Sequence, residues 1–312
     1  MANAEPDIKP AVVKKPFSLN EDAKNFVLQN EKLFKTLKKA ANRYIGGETL
    51  AETILSIKKL NEKDYTVTTD FMGESIRNER DANDVTEEFI RFAKSIATEG
   101  MNSSISLDLS HIGLLVSTEL TIKNLKLICE ATAKSKQEVI ISMEGTDRTD
   151  QIIAIYKESL KENSNLGITL QAYLYRTKDD LKDLINLSGS IRLVKGAYEA
   201  SKDLSIPRGD ELDEIYLQYA EQLFENNHHC AIASHDDKIY REITKLIDRY
   251  KPTNYFLERL LDIQNEELEI YKNKGYKCRI YVVYGKECYL YLCNRWAEYP
   301  LNVFRALADI VE

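Results

Sequence analysis

A barrel of eight parallel strands, each followed by a helix that packs outside it, is the fold class this sequence predicts, and two observations predict it. Short apolar or β-branched runs recur eight times along the chain. Between them lie segments such as TIKNLKLICEATAKS, TDQIIAIYKESLKENS and DKIYREITKLIDRY, whose apolar residues recur at close to 3.6 positions. Strand and helix alternating in this way is the pattern of a (β/α)8 barrel, with an open doubly wound sheet as the alternative. The choice bears on function, because a barrel gathers its working groups at the C-terminal ends of its strands.

The elements follow in order. Residues 1–18 hold Pro6, Pro10 and Pro16 beside Lys14 and Lys15 and read as a flexible arm. Residues 19–60 read as an N-terminal helical segment, with Phe26, Val27, Leu33, Phe34 and Leu37 set among Lys, Glu and Asn. Residues 61–312 form the barrel. Its strands are expected at DYTVTTDF (64–71), SISLDLS (104–110), EVIISME (138–144) and GITLQAYL (167–174), then SIRLVKG (190–196), CAIASHD (230–236), TNYFLERL (253–260) and CRIYVVYG (278–285).

Composition removes several function classes. With 43% hydrophobic and 30% charged residues, a packed core is expected and wholesale disorder is not. No apolar run approaches the roughly 18–20 residues of a membrane span. The N-terminus lacks the apolar core of a secretion signal, so the expected location is cytoplasmic, with peripheral contact at the inner face of the membrane as a variant. The five cysteines (Cys129, Cys230, Cys278, Cys288, Cys293) are odd in number and lack CxxC spacing, which favours reduced thiols over disulfides or zinc. The pair His228-His229 has no further ligands beside it and reads as surface, so no metal is expected. A net charge of -7 argues against a nucleic-acid surface. None of the twelve glycines falls in GxGxxG or P-loop spacing, so any nucleotide cofactor is held another way.

Polar residues cluster at the strand ends, among them Asp108, Glu144, Gln171, Tyr173, Arg192, Lys195, Ser234, His235, Tyr281 and Tyr284. Burying so many unpaired groups costs several kcal/mol, which points to a polar ligand; the alternative is a structural ion-pair network, for example Arg192 with Glu144. In IRLVKGAY one strand delivers Arg192 and Lys195, and Gly196 permits close backbone approach, a combination suited to a heteroaromatic ring and a phosphate. In YLYLCNRWAEYP, read as a helix, Tyr291, Asn294, Arg295 and Glu298 share one face. That helix follows the last strand directly and is expected to lie over the barrel mouth; a solvated surface stripe is the other reading.

Together, QAYLYRT (171–177), RLVKGAYE (192–199), ASHD (233–236), RIYVVYG (279–285) and YLCNRWAE (291–298) resemble the proline dehydrogenases, with FMGES (71–75) and SMEG (142–145) in the expected order. The resemblance spans roughly residues 60–310. It implies a distorted (β/α)8 barrel that holds FAD noncovalently, oxidises an amine by hydride transfer to flavin N5 and passes electrons to a quinone or another acceptor. By matching motifs, Arg192 lies near flavin N5 and Met143 and Gln171 touch the flavin. Val194, Lys195, Gly196 and Ala197 run along its ribityl chain and phosphates, and Ser234 and His235 complete the cofactor site. Leu260 packs over the substrate ring, Tyr281 and Tyr291 line its pocket, Arg295 takes its carboxylate and Glu298 orients that arginine. Arg192, Tyr281 and Arg295 are the implied catalytic residues.

The departures from the family pattern gather in the substrate pocket. Where the family places a lysine at the end of its second strand, this chain has Asp108. Where it places an aspartate before Met-Glu, Ser142 stands, and its Arg-Arg pair reads Asn294-Arg295. The turn after strand seven, usually with a glycine, reads Leu261-Asp262-Ile263. The three pocket replacements make the site about two charges more negative. The resemblance and the departures together favour oxidation of the C–N bond of a cyclic or secondary amine, or of a proline derivative with a masked carboxylate. An ordinary proline dehydrogenase with weakened substrate binding is one alternative, and a flavin-binding redox or partner-binding protein without turnover is another.

Overall fold

The computed structural model describes residues 29–30, 43–73, 75–198 and 200–286. The N-terminal arm, most of the predicted N-terminal helical segment and the expected C-terminal helix carrying Tyr291, Asn294, Arg295 and Glu298 lie outside the described residues.

Among the described residues nine strands run in the order β1 (Ile45–Gly47), β2 (Thr66–Phe71), β3 (Ser103–Leu107), β4 (Val139–Ile141), β5 (Leu166–Gln171), β6 (Ser190–Val194), β7 (Cys230–Ala233), β8 (Tyr255–Leu260) and β9 (Cys278–Tyr284). Strands β2 to β9 are the eight that the sequence predicts. Each is parallel to its neighbours, and β9 pairs with both β8 and β2, through Leu260↔Tyr281 on one side and Thr68↔Tyr281 on the other. That second pairing closes the barrel and rules out an open sheet.

Helices α1 (Leu50–Asn61), α2 (Glu79–Glu99), α3 (Thr118–Ala133), α4 (Thr149–Leu160), α5 (Thr177–Leu184), α6 (Asp210–Glu225), α7 (Asp237–Tyr250) and α8 (Asn265–Asn273) connect the strands. Local chemistry fixes several of their ends. Thr49 and Glu52 form a reciprocal capping box on α1, and Asn78 accepts from the Asp81 N–H to start α2. Gly100, at φ 62°, ends α2 in the left-handed conformation that glycine adopts without strain.

One departure concerns β1, which lies inside the segment that the sequence reads as helical. Gly46 and Gly47 weaken a helix there, and β1 instead adds to β9 through Ile45↔Val283 and Gly47↔Tyr284. The approach is close: a Cβ on Gly47 would sit 2.5 Å from that of Glu52.

Strand alternation divides the residues into two sets. Ile105, Leu107, Ile168, Leu170, Ile191, Leu193, Leu257, Ile280 and Val282 face outward and join Phe89, Phe92, Ile128, Tyr156 and Leu223 of the helices in the main core. The inward set holds Thr68, Ser104, Ser106, Thr169, Ser190, Arg192, Glu258 and Arg279, all buried. A barrel interior is ordinarily filled with branched aliphatic side chains. Here it is filled with hydroxyls and charges, so the alternation that builds the core also builds a polar shaft ending at the mouth. Among the described residues Cys129, Cys230 and Cys278 are buried free thiols.

Candidate active site

The shaft is ordered in layers from the N-terminal end of the barrel to the mouth. At the bottom, Glu138 accepts from His229 Nδ1 at 3.0 Å and from Arg279 Nη2 at 3.3 Å, while the Arg279 guanidinium lies 3.9 Å from the centre of the Phe256 ring. Burial alone would push the Glu138 carboxyl up. The His229 hydrogen bond, the Arg279 charge and a hydrogen bond from Ser190 together overcome it and hold Glu138 at about 2. His228 is buried and His229 half-buried, so the tandem pair belongs to this base rather than to the surface. Among the described residues no His, Cys, Asp or Glu cluster suits a metal ion.

In the middle layer Glu258 lies 2.9 Å from Arg192 Nε and 3.7 Å from Arg279 Nη1, and accepts from the Thr68 hydroxyl at 3.2 Å. Arg192 therefore has a buried counter-ion, but it is Glu258. Glu144, the partner the sequence suggests, is taken by Arg148 at 2.5 Å and by the Ser110 N–H at 3.0 Å. The reason is positional: Glu144 lies three residues beyond the end of β4, whereas Glu258 is within β8, where its carboxylate reaches Arg192 Nε.

Arg192 also reaches upward. Its Nη1 donates to Ser106 Oγ at 3.0 Å, and its guanidinium carbon stands 4.8 Å from the centre of the Tyr281 ring. Among the described residues its buried Nη2 has no hydrogen-bond partner. Ser142 Oγ lies 3.1 Å from Ser106 Oγ, so the uncharged residue at this position joins the same network. The Tyr281 hydroxyl donates to Asp70 Oδ2 at 2.5 Å and lies 3.3 Å from Ser106 Oγ. Burial pushes Asp70 up to about 7, against the opposing pull of the Tyr281 hydrogen bond and the Arg192 charge. The Tyr281 hydroxyl is held above its ordinary range by burial and by the Asp70 charge.

Asp108 directly follows β3, two residues past Ser106 and so on the inward face, and makes an interaction of its own. Leu260 ends β8, paired with Tyr281. Gln171 ends β5 and donates to the Glu144 carbonyl at 3.1 Å, beside the buried Met143. Val194 ends β6 and pairs with Gln171. Beyond it, Lys195 is held by Asp213 at 2.5 Å and Asp236 at 3.2 Å, so its charge is matched within the protein. Gly196 takes φ 109° over the Tyr173 ring, where any Cβ would collide, and its carbonyl accepts from Arg208 at 2.6 Å; Ala197 follows. Ser234 accepts from the Asp236 N–H at 3.1 Å, next to His235. Tyr284 points the other way, into the helix layer, 5.0 Å from Phe71 and 3.3 Å from Glu88, because it is three residues from Tyr281 on a strand of period two.

Asp70, Ser106, Glu258, Glu138 and Arg279 are the functional candidates missing from the sequence reading. A signal was available: TVTTDF puts Thr66, Thr68 and Asp70 on one face, and stepping back two residues from Leu260 and Tyr281 reaches Glu258 and Arg279.

Comparison with known proteins places this arrangement. The family model described as proline dehydrogenase matches residues 53–299. The chain belongs to the proline dehydrogenase family. Members of this family are FAD-dependent oxidoreductases acting on the CH–NH group of proline. Curated proline dehydrogenases resemble it along most of their length. Proline dehydrogenase 2 of Bacillus subtilis (strain 168) is 34% identical over 266 residues, 85% of this chain and 88% of the relative. Proline dehydrogenase 1 of the same strain is 33% identical over 296 residues, 92% and 97% of the two chains. Among solved structures, proline utilization A from Bdellovibrio bacteriovorus superposes with a TM-score of 0.79 at 19% identity, over 89% of this chain. The protein from Corynebacterium freiburgense gives 0.72 at 19% identity over 94%. This chain spans 35% of either one, and the likeness establishes the shared barrel.

Proposed function

We propose that this proline dehydrogenase family member oxidises the C–N bond of proline or, by preference, of a related cyclic or secondary amine or a carboxylate-masked proline derivative, with noncovalent FAD as cofactor and a quinone or another acceptor downstream. The observation that carries the reading is Arg192: a buried guanidinium below the mouth, stacked on Tyr281, with Nη2 left without a hydrogen-bond partner among the described residues. A buried donor of that kind suits a ring acceptor, and a cation there favours an anionic reduced flavin. Gly196 lets the backbone pass over the Tyr173 ring within the segment that the family pattern assigns to a ribityl–phosphate chain.

Bound here, the flavin supplies the two-electron acceptor. The remaining work belongs to the chain. Tyr281 and Leu260 hold the substrate ring, Arg192 fixes the electrostatics at the hydride-accepting edge, and Arg295 takes whatever carboxylate the substrate retains. The preference rests on charge. Asp108 and Asn294 stand where the family pattern has cations, so a free carboxylate meets fewer positive partners than that pattern provides. Missing partners for a desolvated carboxylate cost 2–5 kcal/mol, on the order of 30- to several-thousand-fold in affinity.

Anaerobic flavin reduction across L-proline, proline amides and esters, pyrrolidine and N-alkyl amino acids tests this. The protein should purify yellow or reconstitute with FAD, and masked or carboxylate-free amines should outrun free L-proline. Ordinary efficiency with L-proline would sink the preference. A protein that binds neither FAD nor FMN would sink the whole reading, and a yellow protein that no amine bleaches would favour a flavin-binding protein without turnover.

A further inference from the structure

Among the described residues the charges of the shaft pair off, with one left over. Glu138 is met by His229 and Arg279, and Glu258 by Arg192 and Arg279. Lys195 is met by Asp213 and Asp236, and Glu144 by Arg148. Asp108 has an interaction of its own. Asp70 remains: among the described residues its hydrogen-bond partner is the neutral Tyr281 hydroxyl, which takes Oδ2, and no cation lies within ion-pair distance. Asp70 lies one residue before the mouth end of β2 and is intermediate in exposure.

The surroundings of Asp70 are fully polar on its own side. Ser106 is its register partner on β3, with Asp108 beyond it; β9 presents Tyr281 inward, with Tyr284 on the other face; Arg192 and Glu258 lie below. Arg192 is close enough to be felt but is neutralised by Glu258. A carboxylate left without a cation among the described residues, beside the tyrosine that lines the substrate ring, is a site for a cation that arrives with the ligand.

We propose that Asp70 is the counter-charge for the substrate's amine and the acceptor of its proton. A secondary amine enters as an ammonium ion and cannot lose hydride while the nitrogen lone pair is protonated. The N–H proton passes to the Asp70 carboxylate, and the freed lone pair forms the second C–N bond. Loss of the adjacent C–H with both its electrons, to the two-electron acceptor that a bound flavin would supply, would leave the product as an iminium ion. Tyr281 acts through Asp70 as well as on the ring, since its hydrogen bond stabilises the ionised carboxylate. This inference rests on the amine-oxidising reading above and narrows the substrate to amines that are cationic at the pocket mouth. It also gives the replaced charges of the pocket a common sense, because a site short of carboxylate partners can still hold its substrate by the nitrogen.

The test uses the FAD-loaded protein. Apparent Kd and limiting rate come from anaerobic rapid-mixing flavin reduction by the best amine of the panel. Calorimetry gives the equilibrium Kd of tetrahydrofuran-2-carboxylate, whose ring oxygen carries no proton. The ionised form of Asp70 is the binding form, so wild-type kcat/KM should fall as pH drops through about 7. Asp70→Asn should remove that limb and weaken the amine by about tenfold or more at pH 8, while the oxygen isostere changes by less than about threefold. Asp70→Glu should restore the limb, and Tyr281→Phe should move it to higher pH because the stabilising hydrogen bond is gone. Equal losses for the amine and the isostere, or a limb that persists in Asp70→Asn, would overturn the role of Asp70 alone. If no amine bleaches the wild-type flavin, the amine-oxidising reading falls and this inference falls with it.

Discussion

At the scale of single residues, a group placed for ligand chemistry is a cost to the empty fold. Asp70 shows this. Its carboxyl is raised from the ordinary 3.8 to about 7 by burial, so the folded protein binds its proton more tightly than the unfolded chain does. Such a group supports folding fully below the unfolded value and loses that support as pH rises through about 7. Asp70→Asn never ionises and can still accept from Tyr281. It should therefore match the wild type in thermal unfolding at pH 4 and exceed it by about 2 kcal/mol at pH 8, a figure reduced from the full shift because the side chain is partly exposed. An unchanged gap between the two proteins from pH 4 to 8 would show that Asp70 does not titrate in this range. Arg192 gives the complementary case. With Arg192 against the flavin as proposed, Arg192→Ala should lower the flavin potential by about 30–60 mV, the two-electron equivalent of roughly 1.4–3 kcal/mol. Spectroelectrochemical titration reads it, and a potential equal to wild type would place the guanidinium away from the ring.

At the scale of elements, the connection after β2 shows how the mouth is shaped. Phe71 ends β2 and stacks on His111 at 5.4 Å, while Ser75 and Ile76 donate their N–H groups to Ser110. Burial lowers His111 to about 4, only partly offset by its hydrogen bond to the Phe71 backbone, so the ring is neutral near pH 7. Gly73 passes directly over that ring, with no room for a Cβ. Gly73→Ala should force the connection off His111, costing about 1–3 kcal/mol and raising KM more than it lowers kcat. His111→Ala, which empties the space, should recover part of the stability when combined with it. Additive losses in the double variant would mean that the two residues do not meet. The connection was not legible beforehand, since FMGES and SHIG are 35 residues apart and neither has a period. The eight barrel strands were legible because alternation repeats within each of them. At 253–260 and 278–285 the predicted and observed spans differ by no more than two residues at either end. The three residues of β1 carry no such signal; their partner is β9, more than 230 positions away, and only the closed fold brings the two together. The turn at Leu261-Asp262-Ile263 was read as lacking a glycine, and Asp262 does take φ 59° there, paired with Arg43 at 3.0 Å.

At the scale of the molecule, the strand ends mark the mouth in the sequence, whereas the shaft beneath is marked only by the step of two back from those ends to Glu258 and Arg279. The base of that shaft ties together three distant parts of the chain. Glu138 precedes β4, His229 precedes β7 and Arg279 lies in β9, the strand that closes the barrel. Glu138 is held at about 2, below its ordinary 4.5, so its contribution is present above the unfolded value and is lost as pH falls toward 2. Glu138→Gln should cost about 3 kcal/mol at pH 7, since it strands the buried Arg279 charge and removes the acceptor for His229. The deficit should shrink as pH falls from about 4.5 to 2, where the wild-type carboxylate is itself neutralised. Arg279→Met in the same chain should recover much of the loss at pH 7, because two absent charges cost less than one left unpaired. Glu258 offers Arg279 a second partner at 3.7 Å, so the Glu138 variant should still close its barrel and keep its flavin while its acid unfolding midpoint moves. Chemical unfolding across pH with flavin release as a second probe would check this. A deficit that stays constant down to pH 2 would mean that the base of the shaft is held by packing against Phe256 rather than by the charge of Glu138.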